Sequence, residues 1–259
     1  MAHVIYENFV LANEIEDQYN SHLDLMRFCT IDNSLVGTPG MVKKINVYRA
    51  TDGTEKLTMG QGNSKSIEVS YTQEEYRILL AQNKFMYYDE QEMIDPLVVT
   101  TGVRHMATDM FNTVNADIFA EFKKATLGVS ASTFGFDAFV DAMAKLNCES
   151  EPNTFGFVCP DDMAMVRKAL KDDLKYVEAF SRNGYVGTVG CGTNLYLKKD
   201  ATPGEIIVAT KDAVTLFNKR GVEVEQDRDE DIRQNKIWSR KYYLAALTDA
   251  TKAVKITIG

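Results

Sequence analysis

The sequence lacks a long apolar run. No segment reaches the roughly 18 consecutive apolar residues that a membrane-spanning helix needs, so we expect no contact with a membrane. The first residues, MAHVIYENFVLANEIEDQ, carry acids early and have no basic stretch ahead of an apolar core, which is not the pattern of a secretion signal. Both absences predict a protein that is made and folded in a cytoplasm.

Cysteine and histidine are scarce, and neither forms a cluster. The cysteines are Cys29, Cys148, Cys159 and Cys191, and the histidines are His3, His22 and His105. No two cysteines have CxxC spacing, and His105 falls inside a predicted helix. A cysteine nucleophile needs a base beside it, and a zinc site needs several ligands at short spacings. We therefore predict reduced, structural cysteines, with a disulfide left open, and no catalytic or metal-binding residues.

Clusters of positive charge are missing as well. The net charge is −8, and basic residues are grouped no further than pairs such as Lys43–Lys44 and Lys123–Lys124. A protein that grips DNA is basic on at least one face. We therefore expect no tight, direct binding to nucleic acid, whereas an acidic wall that repels DNA is compatible with a container.

Motifs of catalysis and nucleotide binding are absent from the sequence. There is no GxSxG, no HExxH and no paired-carboxylate pattern. The glycine-rich stretch Gly187–Gly192 matches neither GxGxxG nor GxxxxGK[ST], and it precedes a predicted strand instead of opening a helix. It is therefore predicted to be a tight loop. We predict no cofactor and no enzyme, although this loop leaves open a soluble cytoplasmic α+β enzyme or ligand-binding protein.

An acidic run near the C-terminus contains residue types that can bind a cation. Arg228 interrupts the run and Arg233 follows it, so we predict a solvated or salt-bridged loop and not a metal site. The acids are Asp227, Asp229, Glu230 and Asp231.

The clearest strand signal lies near the front of the chain. Met41–Arg49 and Lys65–Tyr71 both alternate apolar and polar residues, and they flank about fifteen polar, glycine-rich residues. The pattern predicts a long β-hairpin that stands away from the core. A lone hairpin is only marginally stable in water, so it needs a partner surface. Further strand is expected at Tyr76–Ala81, where a helix is the alternative, and at Lys84–Tyr88, with a turn near Gln82–Asn83.

The clearest helix follows Asp95 and Pro96, which are a capping residue and a first-turn proline. Apolar residues recur every three or four positions as far as Phe122, which predicts a helix of about 45 Å that ends near residues 125–128. Two shorter helices are predicted at Phe134–Asn147 and from Pro160 to about Leu170. Strands are predicted at Asn153–Cys159, Asn194–Lys198, Gly204–Thr210 and between Gly221 and Ile258. This order is α+β, without a βαβ repeat.

The segment order resembles that of major capsid (major head) proteins of tailed double-stranded-DNA phages, which have the HK-ninety-seven-like fold. The stretches that carry the resemblance are Asn33–Val47, Ile67–Asp89, and Arg220–Leu247 with the following Lys252–Ile256. The resemblance implies an N-terminal arm at 1–40, and an extended β-hairpin (E-loop) with flanking strands at 41–90. It also implies a peripheral domain with a spine helix at 91–130 and 221–259, and an axial domain at 131–220.

The resemblance also implies a function. Copies of the chain would assemble through pentamers and hexamers into an icosahedral head in the host cytoplasm, and would enclose double-stranded DNA in the virion without sequence-specific contacts. The hairpin would lie over a neighbouring subunit. The implied partners are a portal and optionally a decoration protein. Because the chain has no room for the usual fused scaffolding segment, the resemblance also implies either a separate scaffolding protein or a minimal version without that segment. Lys56 and Lys65 lie in the hairpin, but nothing marks them out for the isopeptide cross-link of some relatives.

One alternative lies within the same fold, namely an encapsulin-like nanocompartment shell. That family usually begins with an amphipathic helix that binds cargo peptides. Residues 1–14 are poorly periodic, so this alternative is less favoured.

Overall fold

The computed structural model describes residues 5–7, 23–146, 153–174, 186, 188–189 and 192–258. The strands are β1 Ile5–Glu7, β2 Thr30–Asp32, β3 Val42–Ala50, β4 Val69–Arg77, β5 Leu79–Tyr88, β6 Leu127–Ala131, β7 Thr154–Val158, β8 Thr188–Val189, β9 Thr193–Leu197, β10 Glu205–Thr210, β11 Val214–Asp229, β12 Gln234–Leu247 and β13 Ala253–Ile258. The helices are α1 Asp89–Ile94, α2 Leu97–Lys123, α3 Phe136–Lys145, α4 Pro160–Ala169 and α5 Lys171–Leu174, with 3-10 turns at Leu25–Phe28 and Ala250–Lys252.

Within the described residues, these strands form three sheets. The first has the order β1-β11-β12-β5, with β2 also pairing to β11. The second has the order β6-β13-β10-β7-β9-β8, and the third contains only β3 and β4. The predicted α+β class is confirmed. No helix of the described part is both long enough and apolar enough to cross a membrane.

The six-stranded sheet is covered on both faces. Every residue of β7 is buried, and its alternate side chains enter two different cores. Val158 packs with α3 and α4, whereas Phe155 and Phe157 pack with the C-terminal half of α2. A strand that is buried on both faces is a continuous apolar run, which is why the predicted strand Asn153–Cys159 could be identified from sequence.

The long helix α2 runs along the five-stranded sheet. It has 27 residues, about 40 Å, close to the predicted helix. The Asp95 carboxylate accepts a hydrogen bond from the Leu97 backbone N–H (3.0 Å), as expected of a residue that caps a helix. The buried face of α2 includes Val103, Met106 and Met110, which pack on β5, β11 and β12.

Two local predictions are wrong. No turn occurs at Gln82–Asn83, because β5 is one continuous strand that pairs with β12 over ten residues. The second hairpin strand was predicted at Lys65–Tyr71 but begins only at Val69 and extends to Arg77. In both cases pairing with another strand sets the boundary, and the local sequence does not. Residues 211–219, for which no element is predicted, contain the start of β11.

The domain boundaries remain a prediction, and strand pairing divides the chain differently at three places. β6 and β13 lie in the six-stranded sheet with β7 and β10, although both belong to the predicted peripheral segments. The first residues of β11, predicted as axial, lie in the five-stranded sheet. We therefore propose that the six-stranded sheet with α3 and α4 is the axial unit, and that the five-stranded sheet with α2 is the peripheral unit.

Candidate functional site

The cysteines of the described part are buried and free. Cys29 and Cys159 form no disulfide, and burial raises the pKa of the Cys29 thiol to about 12. Because the thiolate is the reactive form, Cys29 is not built as a nucleophile. Cys148 and Cys191 lie outside the described residues.

The histidines and acids form no metal site in the described part of the chain. No group of three or more His, Cys, Asp or Glu side chains is placed there to hold an ion. His105 lies exposed on α2, and His3 and His22 fall outside the described residues. In the glycine-rich stretch, Thr188 and Val189 form β8, which pairs antiparallel with Asn194 and Thr193 of β9, whereas residues 187, 190 and 191 are not described.

The acidic run lies at the end of β11 and in the turn that leads to β12, and among its acids Asp229 contacts Lys236 (3.6 Å). Arg228 contacts Asp89 of α1 (2.9 Å) and Glu230 (3.1 Å). Arg233 contacts Glu90 (2.8 Å). These ion pairs agree with the interpretation of the run as a salt-bridged loop, and they tie the turn to α1.

The predicted hairpin is present, and its base is anchored to the five-stranded sheet. β3 and β4 pair antiparallel from Val42–Arg77 to Ala50–Val69. At the base, Ile45 and Tyr76 pack against a small core on the five-stranded sheet that contains Phe217 and Leu244. Beyond this core the ribbon forms a sheet of its own with no third strand among the described residues.

The far end of the hairpin is ordered by internal bonds. The Thr51 N–H donates to the Glu68 carbonyl (3.0 Å), and Glu55 accepts from the Ser64 backbone N–H (2.9 Å) and hydroxyl (2.6 Å). The Asn63 amide donates to the Gly53 carbonyl (3.2 Å). The loop therefore has a defined shape that it can present to a partner.

One face of the hairpin is apolar and largely exposed. Ile67, Val69 and Tyr71 alternate along the chain, and their exposed fractions are 61%, 63% and 65%. We call these three residues the hairpin apolar face. Residues i and i+2 of a strand share a face, which places Val69 and Tyr71 of β4 together, and Ile67 continues the same alternation two residues before the strand. What the sequence does not reveal is that all three side chains stay more than half exposed in the folded chain.

A second exposed apolar group lies at the α1–α2 junction and was missed. Met93 and Ile94 are 81% and 85% exposed, and Leu97 is also exposed. Patches of this kind mark contact surfaces. The available signal is that Met93 and Ile94 follow the acids of α1 and lie outside the apolar stripe of α2.

The five-stranded sheet also keeps a half-exposed face, opposite α2. Trp238 and Tyr242 of β12 lie there, next to Leu80 and Met86 of β5. The Lys84 ammonium lies 5.6 Å from the centre of the Trp238 ring. Aromatic groups with neighbouring cations are typical of surfaces that become interfaces. We call this surface the open sheet face.

Comparisons with known proteins identify the fold. No family model matches the chain. A curated relative, the major capsid protein of Staphylococcus phage phiMR11, is 26% identical over 262 residues that cover 96% of this chain and 92% of the relative. The resemblance to phage major capsid proteins is thereby confirmed.

Solved structures agree with this relative. The mature capsid of bacteriophage PhiM1 has a TM-score of 0.71 at 10% identity and covers 92% of this chain and 87% of its own. A virus-like particle from Pyrococcus furiosus has a TM-score of 0.65 at 12% identity and covers 95% and 97%. At these identities the structures establish the fold alone, and the predicted phage capsid fold is confirmed.

Proposed function

We propose that this chain is a phage major capsid protein whose copies assemble into a closed shell. Its role is structural, not catalytic. The observation that carries the proposal is the hairpin apolar face. It lies on a two-stranded ribbon that no third strand of the described residues joins. A two-stranded ribbon gains stability when another surface covers it, and a second copy provides that surface at every position of a symmetric shell.

The open sheet face is the surface that we expect a neighbouring hairpin to cover. It combines exposed apolar side chains, such as Leu80 and Met86, with the half-buried ring of Trp238. Burial of apolar area contributes about 25 cal/mol per Å², so a small gain at each contact is multiplied over the shell. The exposed α1–α2 junction is a further contact that would be buried in the same assembly.

The finer features of the function belong to the same proposal. We expect pentamers and hexamers in an icosahedral head that encloses double-stranded DNA, located in the virion and assembled in the host cytoplasm. The net charge of −8 favours enclosure without tight contacts to the genome. A separate scaffolding protein, a portal and a decoration protein are the partners that the resemblance implies.

An encapsulin-like shell is the alternative within the fold. It is not favoured, because the curated relative that spans nearly the whole chain is a phage protein. The alternative of a soluble enzyme or ligand-binding protein has only the glycine-rich loop as its support.

A charge placed on the hairpin apolar face tests the proposal. Val69→Glu puts a carboxylate into the expected contact, so particles should be lost while the subunit stays folded. Ser70→Glu puts the same charge on the opposite face of the same strand and should leave assembly nearly intact. Negative-stain imaging and size-exclusion chromatography measure particle yield, and circular dichroism checks the fold.

Two outcomes would contradict the proposal. Normal particles from Val69→Glu would show that this face is not an assembly contact. An unmodified chain that stays monomeric, even with a candidate scaffolding protein present, would refute the capsid function itself.

A further inference from the structure

The two large sheets are joined by short connections that meet at one place. The chain crosses between them through residues 124–126, 211–213 and 248–252. The last two crossings are adjacent, because the Ala213 carbonyl accepts hydrogen bonds from the backbone N–H groups of Thr248 (3.0 Å) and Asp249 (3.2 Å). Short connections gathered between two packed bodies are typical of a hinge.

Residues 23–32, which we call the strap, lie across this junction. One end of the strap is fixed to α2 by the buried side chain of Asn115. Its Oδ1 accepts from the Leu25 backbone N–H (3.1 Å), and its Nδ2 donates to the Leu23 carbonyl (3.2 Å). An amide that satisfies one backbone donor and one backbone acceptor holds an irregular segment at a fixed position on a helix.

The strap reaches the six-stranded sheet through Phe28. The centre of its ring lies 4.6 Å from that of Tyr196 on β9. It lies 4.8 Å from Phe155 and 5.4 Å from Phe157, both on β7. These distances and the tilted or edge-on orientations are those of favourable aromatic contacts.

The strap is held to the five-stranded sheet by backbone pairing. Strand β2 pairs in parallel with residues 215–217 of β11. The Thr30 hydroxyl also donates to the Lys211 carbonyl (3.3 Å), which lies in the connection between β10 and β11. The strap therefore contacts α2, both sheets and one of the crossings.

We propose that the strap restrains the angle between the two sheets, and that Phe28 is a contact that must shift when the angle changes. The Asn115 and β2 contacts both hold the strap to the α2 side of the junction, so a rotation of the six-stranded sheet acts on Phe28. It acts at the same time on Phe119 and Phe122 of α2, which contact the same rings of β7. This inference rests on the fold alone. A shell with five-fold and six-fold positions would use such a hinge, but the hinge does not require the shell.

Distance measurements between spin labels on the full-length chain test the strap. The labels are placed by noncanonical residues at Thr101 on α2 and Asp141 on α3, which are both exposed and lie on opposite sides of the junction. Double electron–electron resonance then gives the distribution of distances. Phe28→Ala should make this distribution about twofold wider, because a hinge without its restraint samples more angles.

Matched variants distinguish the loss of a restraint on the hinge from a general loss of rigidity in the whole protein. Phe136→Ala removes an exposed ring with no contact to the strap and should leave the distribution unchanged. Phe28→Leu keeps an apolar contact but removes the ring. If Phe28→Ala does not fold, Phe28→Leu should still give a distance distribution wider than that of the unmodified chain. An unchanged distribution in a folded Phe28 variant, or equal widening in Phe136→Ala, would overturn the proposal. Neither result depends on whether particles form.

Discussion

Gly102 lies where α2 comes closest to β5. A Cβ atom at this position would lie 2.4 Å from Cζ of Phe85, and Phe85 packs in the core between the sheet and the helix. The ring is also stacked on Tyr87, with 5.6 Å between the ring centres, so a methyl group at position 102 would have to displace it from this packing. The glycine that lowers the helix propensity of this stretch is therefore required for packing.

Gly102→Ala should destabilise the chain by about 1–3 kcal/mol, because overpacking outweighs the gain of roughly 1 kcal/mol in helix propensity. The measurement is denaturant unfolding, with Thr101→Ala at the exposed neighbouring position as the control. A Gly102→Ala protein more stable than the original would mean that the helix and strand separate easily.

Asp162 is a buried acid with a single partner. It is 1% exposed, and its two oxygens accept from the Gly204 backbone N–H at 2.9 and 3.1 Å. Burial raises the pKa of the Asp162 carboxyl above 3.8, and the Gly204 hydrogen bond opposes this shift. Between the ordinary and the raised pKa the folded state binds more protons than the unfolded state, so the stability contributed by this group falls as pH rises.

Asp162→Asn should remove this part of the pH dependence, because the amide oxygen can still accept from Gly204 but the side chain no longer titrates. Thermal melts from below pH 3.8 to neutral pH measure the difference between the two proteins. The variant should gain relative stability as pH rises. A constant difference across the series would mean that Asp162 has its ordinary pKa.

Among the elements, the hairpin was predictable from sequence, whereas the extent of the neighbouring strand β5 was not. Apolar and polar residues alternate along each strand, and this period of two can be recognised from the local sequence alone. The false turn at Gln82–Asn83 has another cause. The Asn83 amide donates to the Met106 carbonyl of α2 (2.8 Å), and pairing with β12 keeps the strand extended. Both contacts join residues far apart in sequence, so no local pattern could reveal them.

Replacing residues 52–67 by an Asn-Gly turn tests the hairpin as an element. Thr51 and Glu68 are already paired, and Asn-Gly is favoured in two-residue hairpin turns, so the shortened ribbon should fold. We expect a soluble subunit that forms no particles, as judged by electron microscopy and circular dichroism. Particle formation at the original yield would show that the tip and Ile67 contribute nothing to assembly.

On the scale of the whole molecule, the core was partly predictable and the assembly contacts were not. Continuous apolar runs such as β7 identify interior strands. The α1–α2 junction was missed because the position of Met93 and Ile94 outside the apolar stripe of α2 does not tell whether another element covers them. Which apolar residues remain uncovered depends on how both sheets pack around α2. That arrangement is a property of the complete fold.

The exposed ribbon also limits how long a newly made subunit can remain alone. Both strands of a two-stranded sheet are edge strands, and their outer backbone groups can pair with another exposed edge, so an unassembled subunit can either join a growing shell or aggregate. The rate at which subunits are made must therefore not exceed the rate at which growing shells take them up. A culture that overproduces this polypeptide by itself should yield an insoluble fraction that rises with expression level and falls when the ribbon is shortened.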